Sequence, residues 1–137
     1  MRQKRILLLG GAESQMPSIV KAKAMGLYVI TCDYLPDNPG HRLADEYHNV
    51  STTDLEGVYR LAKSLDVDGI LCYASDPSAP AAAYAAERLG LPGSPYRSVD
   101  ILTHKDKFRA FLREHGFNVP RAKGYSTLAE AQADLEA

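Results

Sequence analysis

The chain has 137 residues, 45% of them apolar and 24% charged, which allows one domain with a real core and excludes a disordered chain. A formal charge of -1 and an isoelectric point near 6.4 remove the basic field that nucleic acid or an anionic membrane would need as partner, so any anion site must be local. The opening "MRQKRILLLGGAES" holds four strongly apolar residues before Gly10, too few for a signal-peptide core or a bilayer span, and the expected location is the cytoplasm.

"KRILLLGG" is a continuous apolar run closed by two glycines, the pattern of a strand covered on both faces. Met16, Ile19, Val20 and Ala24 then recur at helical spacing, Pro17 is acceptable in a first turn, and Gly26 is the stop. "LYVITCDY" predicts a second strand ending at Asp33. A Pro- and Gly-rich loop leads through "RLADE", whose Asp45 and Glu46 read as a solvated turn, to a short extended piece, "YHNV". Asp54 caps a predicted helix with Leu55, Val58, Tyr59, Ala62 and Leu65 inward. "DGILCYAS" is the next strand, and a helix from about Pro77 to Leu89 turns Ala79, Ala82, Ala83, Ala86 and Leu89 inward before Gly90 closes it. Strands alternating with helices call for α/β architecture: a Rossmann-like parallel sheet of four to five strands with helices on both faces, the fifth being a weaker signal around Leu91 to Ser94. Residues 1–100 form this unit.

Residues 101–137 do not continue the alternation. Thr103 and Asp106 have the spacing of a capping box, Phe108, Phe111 and Leu112 make one apolar face, Gly116 ends that helix and Pro120 forbids its extension. "VPRAKGYS" is offered as an edge strand, with Ser126 or Thr127 capping a last helix, "LAEAQADLEA". The expectation is a linker helix and the start of a second lobe. Cys32 and Cys72 read as reduced core thiols, and the four histidines show no metal-ligand spacing.

In an open parallel sheet, ligands collect outside the carboxyl ends of the strands, where helix N-termini offer free N–H groups. Gly10 and Gly11 would let a ligand approach the backbone there, and Gln15 would supply a neutral hydrogen bond; a plain tight turn is the alternative. The run G-G-A-E-S-Q is not the dinucleotide fingerprint, and Glu13 puts a negative charge where a pyrophosphate would lie. Asp33 stands where a ribose-binding carboxylate often sits, or caps the loop that follows it. Ser75 and Asp76 fall on the same edge, with Asp76 also a ready helix cap before Pro77. In the basic helix, Arg109 and Arg113 project to solvent, whereas Lys107 lies on the border of the apolar face and can reach sideways.

The ordered set of "GG" with a following Gln, a strand ending in Asp before a Pro-rich loop and "ADE", an acidic turn before an Ala-rich helix, "DK" at a helix start, and "G-x-x-VP" resembles the N-terminal part of ATP-grasp ligases. The likeness is to the branch of biotin carboxylase and the carbamoyl phosphate synthetase large chain, and it runs from Ile6 to the end. The resemblance implies a pre-ATP-grasp domain forming one wall of the acceptor-substrate site, lined by Gly10, Gly11, Gln15, Asp33, Ser75 and Asp76. It implies that Lys107, in the matching Asp106-Lys107 pair, reaches the phosphates of ATP. Family members use ATP and Mg2+ to activate a small-molecule carboxylate as an acyl phosphate, which an amine or other nucleophile then displaces, with release of ADP. The family supplies a second lysine, a glycine-rich flap, acidic metal ligands and an arginine from later segments. None of those lies in these 137 residues, so the chain alone is expected to be inactive and to bind no cofactor tightly, as a truncated product or one piece of a split enzyme. Its expected partners are the carboxylate, ATP, the remainder of the ATP-grasp chain and a second copy, since first-domain helices of such ligases often take part in dimers. An NAD(P)-binding oxidoreductase module and a non-catalytic α/β regulatory domain are the alternative readings.

Overall fold

The computed structural model describes residues 2–135. Four parallel strands, β1 (Arg5–Leu9), β2 (Tyr28–Cys32), β3 (Glu46–His48) and β4 (Gly69–Cys72), form one sheet in the order β3-β2-β1-β4. Successive side chains point to opposite faces of a strand, so Leu7, Leu9, Ile30 and Cys32 enter one core while Leu8 and Val29 enter the other. Burial on both faces is why β1 reads as an unbroken apolar run.

Helix α1 (Met16–Ala24) covers the second face with Ile19 and Ala22. Val20 and Ala24, expected inward, are exposed, because the helix turns the Ile19–Ala22 edge to the sheet. The first face is covered by α2 (Leu55–Ser64) and α3 (Ala79–Leu89), which touch through Val58, Ala62, Ala81, Ala82 and Ala85. The small residues of α3 let it lie close to its neighbours. Asp54 caps α2 as expected, accepting the Gly57 N–H at 3.0 Å, and Gly90 closes α3 at φ +66°. Beyond α1, β4 is an edge strand: Leu71 and Tyr73 are 40% and 44% exposed, and nothing stands within 4 Å of a Cβ placed on Gly69.

The edge strand β3 is short but held by side chains. Glu46 accepts from Arg5 and from the Tyr28 hydroxyl, both at 3.2 Å, and its other oxygen meets His48 Nε2 at 2.7 Å. His48, then Tyr28 and Arg5, hold the Glu46 carboxyl below the usual carboxylate range against the opposing effect of burial. Asp45 accepts the N–H of fully buried Val29 at 2.8 Å and pairs with Lys23. The "ADE" acids are therefore structural contacts and not a solvated turn.

Leu91–Ser94 forms no strand, because Pro92 lacks a donor and the segment crosses from α3 into a helix absent from the sequence reading, α4 (Tyr96–Thr103). Tyr96 N–H bonds Glu87 at 2.8 Å and its ring meets Tyr84 edge-on. Thr103 is the last residue of α4, and its hydroxyl donates to the Val99 carbonyl at 2.8 Å, so the capping box with Asp106 does not form.

The chain divides into two compact units, one up to Thr103 and one from His104. The second contains α5 (Lys105–Glu114) and α6 (Leu128–Leu135), joined by an irregular segment that includes "VPRAKGYS" and holds no strand. Thr127 caps α6, its Oγ1 accepting the Glu130 N–H at 3.3 Å. Phe111, expected inward, is 38% exposed and stacks on His115 at 4.0 Å.

Candidate functional site

The register that pairs Leu9 with both Cys32 and Cys72 sets Gly10, Asp33 and Tyr73 one step beyond the carboxyl ends of three adjacent strands. Gly10, at φ +99°, donates its N–H to the Cys32 carbonyl at 2.8 Å, a conformation a side chain would strain. Gln15 is buried behind this turn, with Oε1 accepting the Ala12 N–H at 2.8 Å. The Gln15 amide fills the place a Cβ on Gly10 would take.

Gly11 has the same relation to His41. A Cβ there would lie under 3.0 Å from three atoms of that ring. The ring is fixed on both nitrogens: Nε2–H donates to the Leu35 carbonyl at 3.1 Å, which leaves Nδ1 of the neutral form to accept from the Thr31 hydroxyl at 2.9 Å. Tyr47 packs on it at 4.2 Å, and Gly40 N–H reaches the Gly11 carbonyl at 2.7 Å. The loop after β2 is thus folded onto the turn after β1. His41 was invisible to sequence spacing because Thr31 and Gly11, the partners that tie it to the strand and the turn, lie ten and thirty residues away, and Leu35 and Tyr47 form no pattern with it.

Asp33 is 8% exposed and spends both oxygens on that same loop, accepting from Leu35 N–H at 3.3 Å and Asn38 Nδ2 at 2.9 Å. After β4, Ala74 adopts φ +54°, a left-handed conformation that an alanine takes at a cost of about 1–2 kcal/mol. It turns the chain so that Ser75 meets Ser78 at 2.8 Å, Ser78 meets Thr52 at 2.9 Å, and Cys72 Sγ donates to the Ser75 carbonyl at 2.9 Å. Asp76 is exposed in the first turn that follows and is not the cap. Gly10, Gly11, Gln15, Asp33, Ser75 and Asp76 therefore share one edge of the sheet. Lys107 stands in the first turn of α5, in the second unit.

No protein-family profile matches the sequence. The chain is 30% identical to formate-dependent phosphoribosylglycinamide formyltransferase of Paraburkholderia xenovorans over 141 aligned positions, 82% of this chain and 34% of that enzyme. Phosphoribosylglycinamide synthetase from Anaerococcus prevotii superposes on 98% of the chain with a TM-score of 0.79 at 23% identity, the chain covering 35% of it. N5-carboxyaminoimidazole synthetase from Staphylococcus aureus, solved with ADP, superposes on 99% with a TM-score of 0.73 at 19% identity, again 36% of that protein. The chain spans about a third of the length of these relatives. The sheet order, the alignment over most of the chain and the match to the N-terminal part of larger ligases give one conclusion: this is an N-terminal domain of the ATP-grasp family.

Proposed function

We propose that the chain is the substrate-side domain of an ATP-dependent ligase that activates a small carboxylate as an acyl phosphate and transfers the acyl group to an amine, releasing ADP. The observation that carries this reading is the alignment with the formate-dependent formyltransferase, supported by the polar groups at the carboxyl edge of the sheet. The relative's name makes formate and phosphoribosylglycinamide the first pair to try. In this reading Gly10, Gly11, Gln15, Ser75 and Asp76 wall the carboxylate site, with Asp33 holding the loop beside it. Lys107 meets nucleotide phosphate, where an ammonium offsets the charge that develops on the transferred group.

ATP and magnesium enter from the relatives. Lys107 suits a phosphate by charge. Among the described residues no group of three or more metal-ligating side chains forms, so magnesium is assigned no residue here. The test uses the full-length ligase that this reading implies: carboxylate-dependent release of ADP, with Lys107→Met raising the Kd for ATP about tenfold or more, the size expected for losing a charge-assisted contact. An unchanged Lys107→Met enzyme removes that residue's role, and reduction of a nicotinamide in place of ADP release removes the ligase reading.

A further inference from the structure

Four cations crowd α5, and the reading above uses one of them. Between His104 and Gly124 the sequence carries six lysines and arginines against Asp106 and Glu114, in a chain whose total charge is -1. A helix brings positions 106, 109, 110 and 113 onto one face, with Lys107 about 100° away. On that face is a pocket of about 230 Å³, walled by Asp106, Arg109 and Arg113 on the helix and by Lys123 and Gly124 on the segment crossing it. The segment lies close: a Cβ on Gly124 would come to 3.3 Å from that of Asp106.

We propose that this pocket binds a phosphate group of a small molecule, separately from the nucleotide contact assigned to Lys107. Two of its cations are held in place. Arg113 Nη2 donates to the Ala122 carbonyl at 3.0 Å, which fixes the guanidinium against the wall and leaves its other N–H donors for a ligand. Lys123 Nζ is steadied by Asp134 at 2.5 Å. Arg109 ion-pairs with no described residue, so its charge is available to the pocket. Three cations against Asp106 and Asp134 leave a local excess of one positive charge, which favours an anion, and two planar forks suit a tetrahedral oxyanion better than a point charge does. A second hollow of about 480 Å³, sharing Arg113 and Lys123 and adding Arg121 beside Val119 and Pro120, gives room for the rest of the molecule.

The test is a 15N-correlation titration of the 137-residue chain with inorganic phosphate, run against chloride and acetate at matched ionic strength and pH. Saturable shifts confined to residues 106–124 are expected. Arg109→Gln should weaken phosphate about tenfold, and because Arg109 ion-pairs with no described residue this change should leave the fold intact. Lys105→Gln, which removes the same charge outside the pocket, should change affinity less than about twofold. Non-saturating shifts equal to those from chloride overturn the proposal. So does equal saturation by acetate, insensitivity to Arg109→Gln, or an α5 without helical shifts in the presence of phosphate. None of these readouts involves Lys107 or ADP release, so failure here leaves the ligase reading to its own test.

Discussion

Replacing Gly11 by Ala tests how the two turns at the sheet edge fit together. Gly11 does not have a positive φ, so the backbone admits alanine, and on an open turn the change would stabilise by about 0.4–1 kcal/mol through the unfolded chain. The structure gives the opposite sign. The new methyl would lie inside the His41 ring, which is wedged between the turn and Tyr47. Relief requires the ring to leave, with loss of its bonds to Thr31 and Leu35 at about 1 kcal/mol each and of the ring contact at about 0.5–1.5 kcal/mol. After the opposing unfolded-state effect, the net destabilisation should be about 1.5–3 kcal/mol, a fall of about 0.8–1.5 M in the urea midpoint at an m of about 2 kcal/mol/M. Urea unfolding followed by far-ultraviolet circular dichroism reads this directly. In a His41→Ala background the same substitution should be near neutral, a coupling of about 1 kcal/mol or more. A midpoint that does not fall, or additive single and double variants, would refute the packing argument.

Acid should reach Asp45 late. Its carboxyl is held below the usual carboxylate range by Lys23, with the Val29 N–H adding to this against burial. A depressed folded value means that its contribution is present above the ordinary aspartate range and is lost as pH falls through the folded value. Asp45→Asn should therefore lower stability near neutrality and flatten the acid limb of the stability curve; an acid limb of unchanged slope argues against the pair. The thiols should separate in reactivity. Burial and the neighbouring Asp33 push the Cys32 thiol up to about 12, whereas Cys72 is raised mainly by burial that is only partial. Thiol labelling at mildly alkaline pH, resolved by peptide mass, should modify Cys72 first; equal rates would contradict the burial of Cys32.

The parts of the fold that were legible in the sequence are those whose cause is local. Leu7 to Leu9 are apolar at every position, and Val29 to Cys32 at all but Thr31, because both faces are covered, and Asp54 and Gly90 announce helix ends by chemistry that acts within one turn. The family likeness was legible for the same reason, as an order of short motifs. Tyr96–Thr103 was missed because Thr103 and Asp106 offered a cap that the chain does not use; the helix before them claims Thr103 first. The fifth strand failed on Pro92 and Pro95, which read as punctuation in a loop as readily as at a sheet edge. At the site, the glycines were legible as places of close approach, but what approaches Gly11 is His41, brought there by tertiary folding that no spacing encodes. Asp33 was legible as a strand-end acid, and its partners, Leu35 and Asn38, are the bland alternative in physical form.

The strand order has a kinetic consequence. The first strand to leave a ribosome is an interior one, flanked by Tyr28–Cys32 on one side and by Gly69–Cys72 on the other, so Ile6 finds its partner Gly69 late in synthesis. Parallel pairing over such separations makes ordering slow and nonlocal, and until residue 72 emerges one side of "ILLL" has no strand beside it. A nascent chain of this kind is exposed to off-pathway association until Gly69–Cys72 emerges, and co-translational holding of Arg5–Leu9 would protect it over that window.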